Sequence, residues 1–333
     1  MVMIAFDLKR PAASDPWTAS SMAALVGEAA QRLATRVHRT AVEPIDLTGL
    51  VRGDMAPRAF AKLEQLQITG SFKIRGATNK LMSLTPKSAA AGVIAASTGN
   101  HGLAVATAAV ALGIDAEIFL SSTVSEAKRN KIQRAGARIR LVGEDPLTAE
   151  LAARAEATAS GRSYVSPYND PMVIAGQGTI AAELAEQLPK LDAVLIAVGG
   201  GGLIGGVGAY FRHHLPHTRI VGCWPENSPV LYECLRVGRF VTVPERPTLS
   251  DSTAGDLEPG AITLALAQQV VDAGMLVSEE QIGAAMQVAE EQGWHIEGAA
   301  GVALAALIAR AEDFAGQTVA VIFCGGNRAG DAS

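Results

Sequence analysis

The stretch Ala197-Val198-Gly199-Gly200-Gly201-Gly202-Leu203-Ile204-Gly205-Gly206 decides the fold, because its glycine run joins two apolar segments of different kinds. The run at 194–198 predicts a buried strand, and the stretch after the glycines predicts a helix. Glycines at such a junction let the backbone approach an anion, and the helix start adds exposed N–H groups. The junction therefore predicts a phosphate site. The alternative is a tight turn with close packing between strand and helix.

Outward from this junction, short β-branched runs alternate with alanine-rich helical stretches. The runs are Val93-Ile94, 117–120, 139–142, 194–198, Ile220-Val221-Gly222 and 318–323. This alternation predicts βαβ units, and therefore an α/β protein with mostly parallel sheets. Ligands bind at the carboxyl ends of such strands, so the candidate site loops are 97–102, 199–206 and 324–327. We expect residues 1–16 to be irregular and the first helix to cover residues 20–37.

Two common nucleotide-binding motifs do not fit the glycine run. A dinucleotide loop needs a following strand that ends in an acidic residue, whereas the run that begins at Ile220 closes in Cys223-Trp224. A Walker loop needs a Gly-Lys dipeptide, and the chain contains none.

The composition indicates an ordinary globular protein with two lobes. The chain has 333 residues, which is more than the roughly 250–300 residues that one hydrophobic core usually holds. Charged residues make up 18% and apolar residues 49%, values typical of globular rather than disordered chains. The net charge of −5, without a basic cluster, argues against nucleic acid as a partner.

The compartment is predicted from the cysteines and the apolar segments. Cys223, Cys234 and Cys324 form no CxxC pair, so we expect neither a disulfide framework nor a zinc site, and a reducing cytoplasm fits best. Charged residues interrupt the apolar start of the chain, so we expect no export signal. The apolar window 191–210 contains Asp192 and the glycines, which favours a strand, loop and helix over a membrane span.

A lysine lies in the stretch Thr69-Gly70-Ser71-Phe72-Lys73-Ile74-Arg75-Gly76-Ala77. A single lysine is most often a solvated surface residue. Schiff-base chemistry requires a desolvated lysine with a lowered pKa, and small apolar neighbours provide that setting. Lys73 is therefore a candidate catalytic residue.

Five motifs follow one another along the chain. They are Gly70–Ala77, Ser97-Thr98-Gly99-Asn100-His101-Gly102, Ala175-Gly176-Gln177-Gly178-Thr179, the tetraglycine run and Cys324-Gly325-Gly326-Asn327. In order and spacing they resemble the fold-type II family of enzymes that use pyridoxal 5'-phosphate (PLP). The match runs from about His38 to Asn327 and is most similar to the branch of threonine/serine dehydratases and serine racemases, which includes the hydroxyaspartate dehydratases and the dehydratase of hydroxyectoine utilisation.

The resemblance implies a fold and a reaction. The fold is like that of tryptophan synthase β, with two domains that each contain a mostly parallel sheet flanked by helices. Residues 1–90 and 170–333 would form the large PLP-binding domain, and residues 91–169 the small one. The reaction is that of a dehydratase or ammonia-lyase, which eliminates water from a small β-hydroxy amino acid to give an enamine and then an imine, and water hydrolyses the imine to a 2-keto acid and ammonia.

The resemblance also implies roles for residues. Lys73 would hold PLP as a Schiff base and move the α-proton of the substrate, with Phe72 beside the cofactor ring. Asn100 would donate a hydrogen bond to the 3'-oxygen of the ring, and Cys324 would face the ring nitrogen. The phosphate would bind to Gly199, Gly200, Gly201, Gly202 and Leu203, and the substrate carboxylate to Ser97, Thr98, Gly99, Asn100 and His101.

The chain departs from the family pattern at three places. Cys324 replaces the usual serine at the ring nitrogen and is a weaker hydrogen-bonding group. Thr98 is the nearest hydroxyl for the proton donor of a racemase, and its stiffer side chain makes racemisation secondary. Gly222-Cys223-Trp224-Pro225 lacks the glutamate through which several members bind a divalent ion, so we expect no metal there. No appended regulatory domain follows, so we expect no isoleucine feedback and a catabolic role.

Three further residues are candidates for the site, and two of them have a second interpretation. Tyr168 is a candidate substrate-specificity residue or part of an ordinary turn. Gly255 would lie beside the cofactor ring, since a glycine permits close approach. Glu297 begins a segment similar to one near the substrate, but an acid in the first turn of a helix is also common.

Several alternatives remain open. The substrate could be threonine, serine, hydroxyaspartate, phenylserine or an amino acid derived from hydroxyectoine, and a racemase of the serine racemase type is a further alternative. A catalytically silent PLP-binding protein and a nicotinamide oxidoreductase are rivals of a different class. We expect a homodimer or a higher homo-oligomer.

Overall fold

A computed structural model describes residues 3–6, 17–52 and 56–328. It contains two sheets, and their strands alternate with helices along most of the chain. The strands are β1 (Ile4–Ala5), β2 (Val42–Pro44), β3 (Arg58–Lys62), β4 (Val93–Ala96), β5 (Ala116–Leu120), β6 (Arg138–Leu141), β7 (Ser163–Tyr164), β8 (Ala193–Ala197), β9 (Arg219–Pro225), β10 (Ala273–Val277) and β11 (Thr318–Ile322).

Twelve helices lie within the described residues. They are α1 (Ala19–Leu33), α2 (Lys73–Met82), α3 (Pro86–Ala91), α4 (Asn100–Leu112), α5 (Glu126–Arg134), α6 (Pro146–Ser160), α7 (Pro171–Gln187), α8 (Gly202–His214), α9 (Val230–Val237), α10 (Ile262–Val270), α11 (Glu279–Glu291) and α12 (Gly298–Ala309).

The larger sheet has the strand order β1-β10-β9-β8-β11-β3-β2. Its five central strands are parallel, and β1 and β2 add antiparallel edges. The smaller sheet has the order β6-β5-β4-β7 and is parallel throughout. The predicted α/β class with mostly parallel sheets is confirmed. The exact domain limits at residues 90/91 and 169/170 stay a prediction, and the four strands of the smaller sheet fall between Val93 and Tyr164.

Two details at the start of the chain differ from expectation. Ile4–Ala5 is not irregular, because it pairs with Gly274 and Ala273 at the edge of the larger sheet. Of the segment 1–16, the structure describes only residues 3–6, and residues 1–2 and 7–16 lie outside the described residues. Helix α1 ends at Leu33 rather than Val37, because the chain then turns through bonds from Arg36 and Val37 back to the Leu33 carbonyl.

Helix α12 shows how the core brings the site elements together. Its sequence GAAGVALAALIA is apolar all round, as expected of a helix surrounded by protein, and ten of its twelve residues are buried. It packs against β8, β9, β10, β11 and α11. A side chain at Gly298 would put Cβ 1.9 Å from the carbonyl oxygen of Leu249. The start of α12 is therefore held tightly against the segment that precedes residue 251.

Candidate active site

The predicted site loops meet in one place. A cavity of about 50 Å³ lies at the carboxyl ends of β8 and β11 and adjoins a cleft of about 680 Å³ that reaches the smaller sheet. Segments 97–101, 199–204 and Cys324 all contribute to these walls. The loops predicted from the sequence therefore lie together, as expected for the carboxyl edge of parallel strands, and their function stays a prediction.

Lys73 is the first residue of α2 and lines both spaces. Its Nζ donates to the carbonyl oxygen of Pro167 at 3.1 Å and lies 5.1 Å from the ring centroid of Phe72. Burial lowers the pKa of Lys73 to about 8, although the negative charge of Glu297 opposes the shift. Near neutral pH a useful fraction of this amine is therefore unprotonated and nucleophilic.

The glycine run opens helix α8 toward the cavity. Gly201 has φ +85°, a left-handed conformation that favours glycine, and α8 begins with no side-chain cap among the described residues. A Cβ at Gly200 would lie 2.3 Å from the ring of Tyr168, and one at Gly199 would lie 2.8 Å from the carbonyl oxygen of Thr253. The first amides of α8 are therefore available to an anion.

The turn from β4 into α4 forms the opposite wall. Ser97, Thr98, Gly99, Asn100 and His101 line the cleft. The His101 ring lies in the wall, because its Nε2 is 2.8 Å from the carbonyl oxygen of Val165. Burial and the nearby Lys73 charge lower the pKa of His101 to about 3, so the ring is neutral and donates through Nε2. Of this set, Ser97 and Thr98 carry hydroxyl groups.

Asn100 is bonded at both ends of its side chain. Its Nδ2 lies 2.8 and 3.1 Å from the two carboxylate oxygens of Glu297, and its Oδ1 accepts from Nδ2 of Asn327 at 2.7 Å. Glu297 also accepts from the hydroxyl of Ser252 at 2.9 Å. Burial raises the pKa of Glu297, and these donors offset part of the shift. Glu297 therefore lies in the site rather than serving only as a helix-start acid.

Three predicted residues lie at different depths. Cys324 is buried beside Lys73, and burial raises the pKa of its thiol well above the usual value, so it stays protonated. Tyr168 lies over the glycine run, with its hydroxyl accepting from the Glu258 amide at 3.0 Å. Gly255 lines the cleft, whereas Thr253 takes the place nearer the glycines.

Behind Lys73, a cluster of buried charges holds α2 that sequence reasoning did not identify. Arg75 donates to both Glu64 oxygens, at 2.7 and 2.8 Å, and to both Glu183 oxygens, at 2.6 and 3.0 Å. Lys62 completes the set by donating to Glu183 at 2.5 Å. We call these four residues the charge cluster. No local sequence signal marked these residues, because β3 and α2 also contain other charged side chains such as Arg58 and Lys80.

Neither a cluster of metal ligands nor a membrane-spanning helix is found among the described residues. Among residues 3–6, 17–52 and 56–328, no group of three or more His, Cys, Asp or Glu side chains is arranged to hold a metal ion. The segment Gly222-Cys223-Trp224-Pro225 lies buried in β9, and its expected lack of a metal stays a prediction. Among the helices that the structure describes, none combines the length and apolar character needed to cross a bilayer.

Comparisons with known proteins agree with this geometry. Residues 34–325 match the family model described as pyridoxal-phosphate dependent enzyme. The L-threonine ammonia-lyase of Thermotoga maritima is 40% identical over 303 residues, covering 91% of this chain and 74% of the relative. The catabolic L-threonine dehydratase of Escherichia coli K12 is 36% identical over 284 residues, 84% of each chain.

Solved structures give the same placement. The processed threonine deaminase isoform 2 of Solanum lycopersicum superposes with a TM-score of 0.88 at 29% identity, covering 98% of this chain and 93% of that one. Maize serine racemase has a TM-score of 0.85 at 29% identity, covering 92% and 93%. The chain is therefore similar in fold to a threonine deaminase and to a serine racemase.

Proposed function

The chain belongs to the family of pyridoxal-phosphate dependent enzymes, and we propose that L-threonine is the substrate it uses best. It is a PLP-dependent ammonia-lyase of the threonine/serine dehydratase branch. The reaction removes water from a β-hydroxy amino acid, and water then hydrolyses the resulting imine to a 2-keto acid and ammonia. The observation that carries the choice of substrate is the similarity to L-threonine ammonia-lyases and dehydratases over 84–91% of the chain. The cavity that contains Lys73, with its pKa lowered to about 8, and the start of α8 supports the use of the cofactor.

The described residues fit PLP. The glycines keep a cradle that a Cβ would fill, and the amides at the start of α8 suit a phosphate. The hydroxyl of Thr263 is buried and has no hydrogen-bond partner among the described residues, and it lies near the place where a Cβ of Gly201 would be. When bound, PLP supplies an electron sink for the negative charge that develops at the substrate Cα.

We propose the following roles for the residues of the site. Lys73 binds the cofactor and moves the α-proton, which the lowered pKa of its amine allows near neutral pH. Asn100 donates to the oxygen of the cofactor ring, and the neutral thiol of Cys324 faces the ring nitrogen. Phe72 and Tyr168 pack beside the cofactor. The turn that contains Ser97, Thr98, Gly99, Asn100 and His101 holds the substrate carboxylate.

A racemase is the second candidate, since maize serine racemase shares the fold. Racemisation needs a proton donor on the side of the substrate opposite Lys73, and Thr98 is the hydroxyl that the cleft offers in the predicted loop. We propose that elimination dominates over racemisation. Cytoplasmic location and homo-oligomeric assembly stay predictions.

The experiment combines absorbance with product analysis. Purified protein should show a visible absorption band that borohydride shifts, and L-threonine should yield 2-ketobutyrate and ammonia. Lys73→Ala should abolish the band and lower kcat by about 10²–10⁴-fold or more, as expected for loss of a general base. The exposed Lys87 provides a matched control, because Lys87→Ala should change neither. A colourless protein would exclude the cofactor, and conversion of L-threonine only to its Cα epimer would exclude the lyase.

A further inference from the structure

A row of hydrogen-bonded side chains links the two sheets across the cleft. It begins at Lys131 on α5, whose Nζ donates to Oδ1 of Asn327 at 2.7 Å. Asn327 donates through Nδ2 to Oδ1 of Asn100 at 2.7 Å, and Asn100 donates to Glu297. We call these four residues the amide chain. It has an ammonium at one end and a buried carboxyl group at the other.

Lys131 and the Thr69 carbonyl together determine the direction of this chain. A side-chain amide has an accepting oxygen and a donating nitrogen, and rotation by half a turn exchanges them. Asn327 presents its oxygen to the Lys131 ammonium and its nitrogen to the carbonyl oxygen of Thr69, at 2.9 Å. Rotation would place donor against donor and acceptor against acceptor. Asn100 therefore receives a hydrogen on its oxygen and faces its amino group toward Glu297.

Two glycines leave room for the chain. A Cβ at Gly70 would lie 2.8 Å from Oδ1 of Asn327, and a Cβ at Gly325 would lie 2.7 Å from the carboxyl carbon of Glu297. Gly70 has φ +71°, so its backbone also disfavours other residues. The backbone at Gly70 and Gly325 lies close to two members of the amide chain, and this restricts the positions that Asn327 and Glu297 can take.

We propose that Lys131 is a positioning residue, which acts through Asn327 to hold the Asn100 amide in the orientation that binds the cofactor. This inference rests on the proposed contact between Asn100 and PLP. Lys131 belongs to α5, whose segment packs with the smaller sheet, whereas Asn327 follows β11 of the larger sheet. A helix beside the smaller sheet thus completes the cofactor site of the larger one.

The test uses the holoenzymes of Lys131→Met and Lys131→Arg. We expect Lys131→Met to weaken PLP binding about threefold to tenfold, which is the effect of one typical hydrogen bond. We also expect it to shift the visible absorption band, because the Asn327 oxygen then loses its donor and the Asn327 and Asn100 amides are held less firmly. Lys131→Arg keeps a charged donor and should return both values toward those of the wild type. PLP titration of the apoenzyme and absorbance spectra measure the two effects.

A matched control is Arg134→Met, which removes a positive charge from the same helix where the side chain is exposed and its Nε donates to the Asn130 carbonyl. It should change neither value, and all variants should unfold at the same denaturant midpoint. Lys131→Met with wild-type affinity and spectrum overturns the inference, as does Lys131→Arg that is as impaired as Lys131→Met. Asn100→Ala with an unchanged spectrum would instead show that the assignment of Asn100 to the cofactor is wrong.

Discussion

The charge cluster behind Lys73 and the amide chain in front of it both bury ionisable groups, but they differ in closure. In the charge cluster two cations, Lys62 and Arg75, face two carboxylates, Glu64 and Glu183, in direct ion pairs. In the amide chain the cation and the carboxyl group are separated by two neutral side chains. The charge cluster anchors helix α2, whereas the amide chain lines the cleft with polar groups to which a ligand can bind.

The difference appears in the pKa values. Burial would raise the pKa of Glu64, yet the Arg75 guanidinium holds it below the usual value. Glu297 has no such direct cation, and burial raises its pKa. A buried carboxyl group is thus kept ionised where a cation touches it, and is closer to neutral where only amide and hydroxyl donors do. Changes that remove charges from the two regions should therefore have effects of different size and sign.

The largest effect is expected in the charge cluster. Arg75→Met leaves two carboxylates facing Lys62 alone, so the free energy of unfolding should fall by about 3–5 kcal/mol, as for other broken buried ion pairs. Urea unfolding followed by circular dichroism measures it. Adding Glu64→Gln to the variant restores the balance of charge and should recover part of the loss. A loss below about 1 kcal/mol for Arg75→Met would mean that the cluster does not anchor α2.

The next effect concerns the lysine between the two regions, in the apoenzyme. Since burial lowers the pKa of Lys73 to about 8, the folded state holds this proton less tightly than the unfolded state. The contribution of the neutral Lys73 amine to stability is complete above about pH 10.4, the ordinary lysine pKa. It is lost as the pH falls through about 8. Lys73→Met should therefore stabilise the apoenzyme at pH 7, by about 1–3 kcal/mol.

The pH dependence distinguishes this cause from improved packing. Unfolding measured between pH 7 and pH 10.5 should show the advantage of Lys73→Met shrinking as the pH rises, because the wild-type amine becomes neutral. An advantage that stays constant over this range would show that the charge is not its source.

A smaller effect is expected at the end of the amide chain. Because the pKa of Glu297 is raised, the contribution of its protonated carboxyl group to stability is complete below about pH 4.3, the ordinary pKa of glutamate. This contribution is lost as the pH rises through the raised pKa. Glu297→Gln cannot ionise, so it should gain stability relative to the wild type across this window, by about 1 kcal/mol or less. Unfolding at a series of pH values tests the direction, and a relative loss with rising pH would contradict it.

The smallest effect is expected at an exposed ion pair, which serves as a reference for the two buried regions. Arg39 and Glu186 form an ion pair at 2.7 Å with side chains that are 53% and 67% exposed. Arg39→Ala should change the free energy of unfolding by less than about 1 kcal/mol. A larger change at this surface pair would weaken the attribution of the other effects to burial.

The outline of the site followed from local patterns, since each site loop follows a strand and contains glycine or hydroxyl residues. The glycine run at 199–202 and the turn at 97–101 are examples, and their meeting follows from parallel pairing. The strand β3 did not stand out, because Arg58–Lys62 is short, alanine-rich and bounded by charges. It is nevertheless a central strand, which shows that burial in a sheet outweighed its weak local propensity.

The supporting contacts could not be predicted, because they join residues far apart in the chain. Arg75 and Glu183 are 108 residues apart in the chain, and Asn100 and Glu297 are 197 residues apart. Nothing in the local sequence around Glu297 distinguishes a site carboxyl group from an ordinary acid in the first turn of a helix. The pairings depend on three-dimensional packing rather than on local sequence periodicity.

The walls of the cavity come from segments that extend from Lys73 to Cys324, with Asn100, Tyr168 and Glu297 between them. Contacts of such large sequence separation form late, since each must overcome the entropy of closing a long loop. Recovery of the visible band during refolding should therefore lag behind recovery of helical circular dichroism. The cofactor would then act as a built-in reporter of the last step of folding.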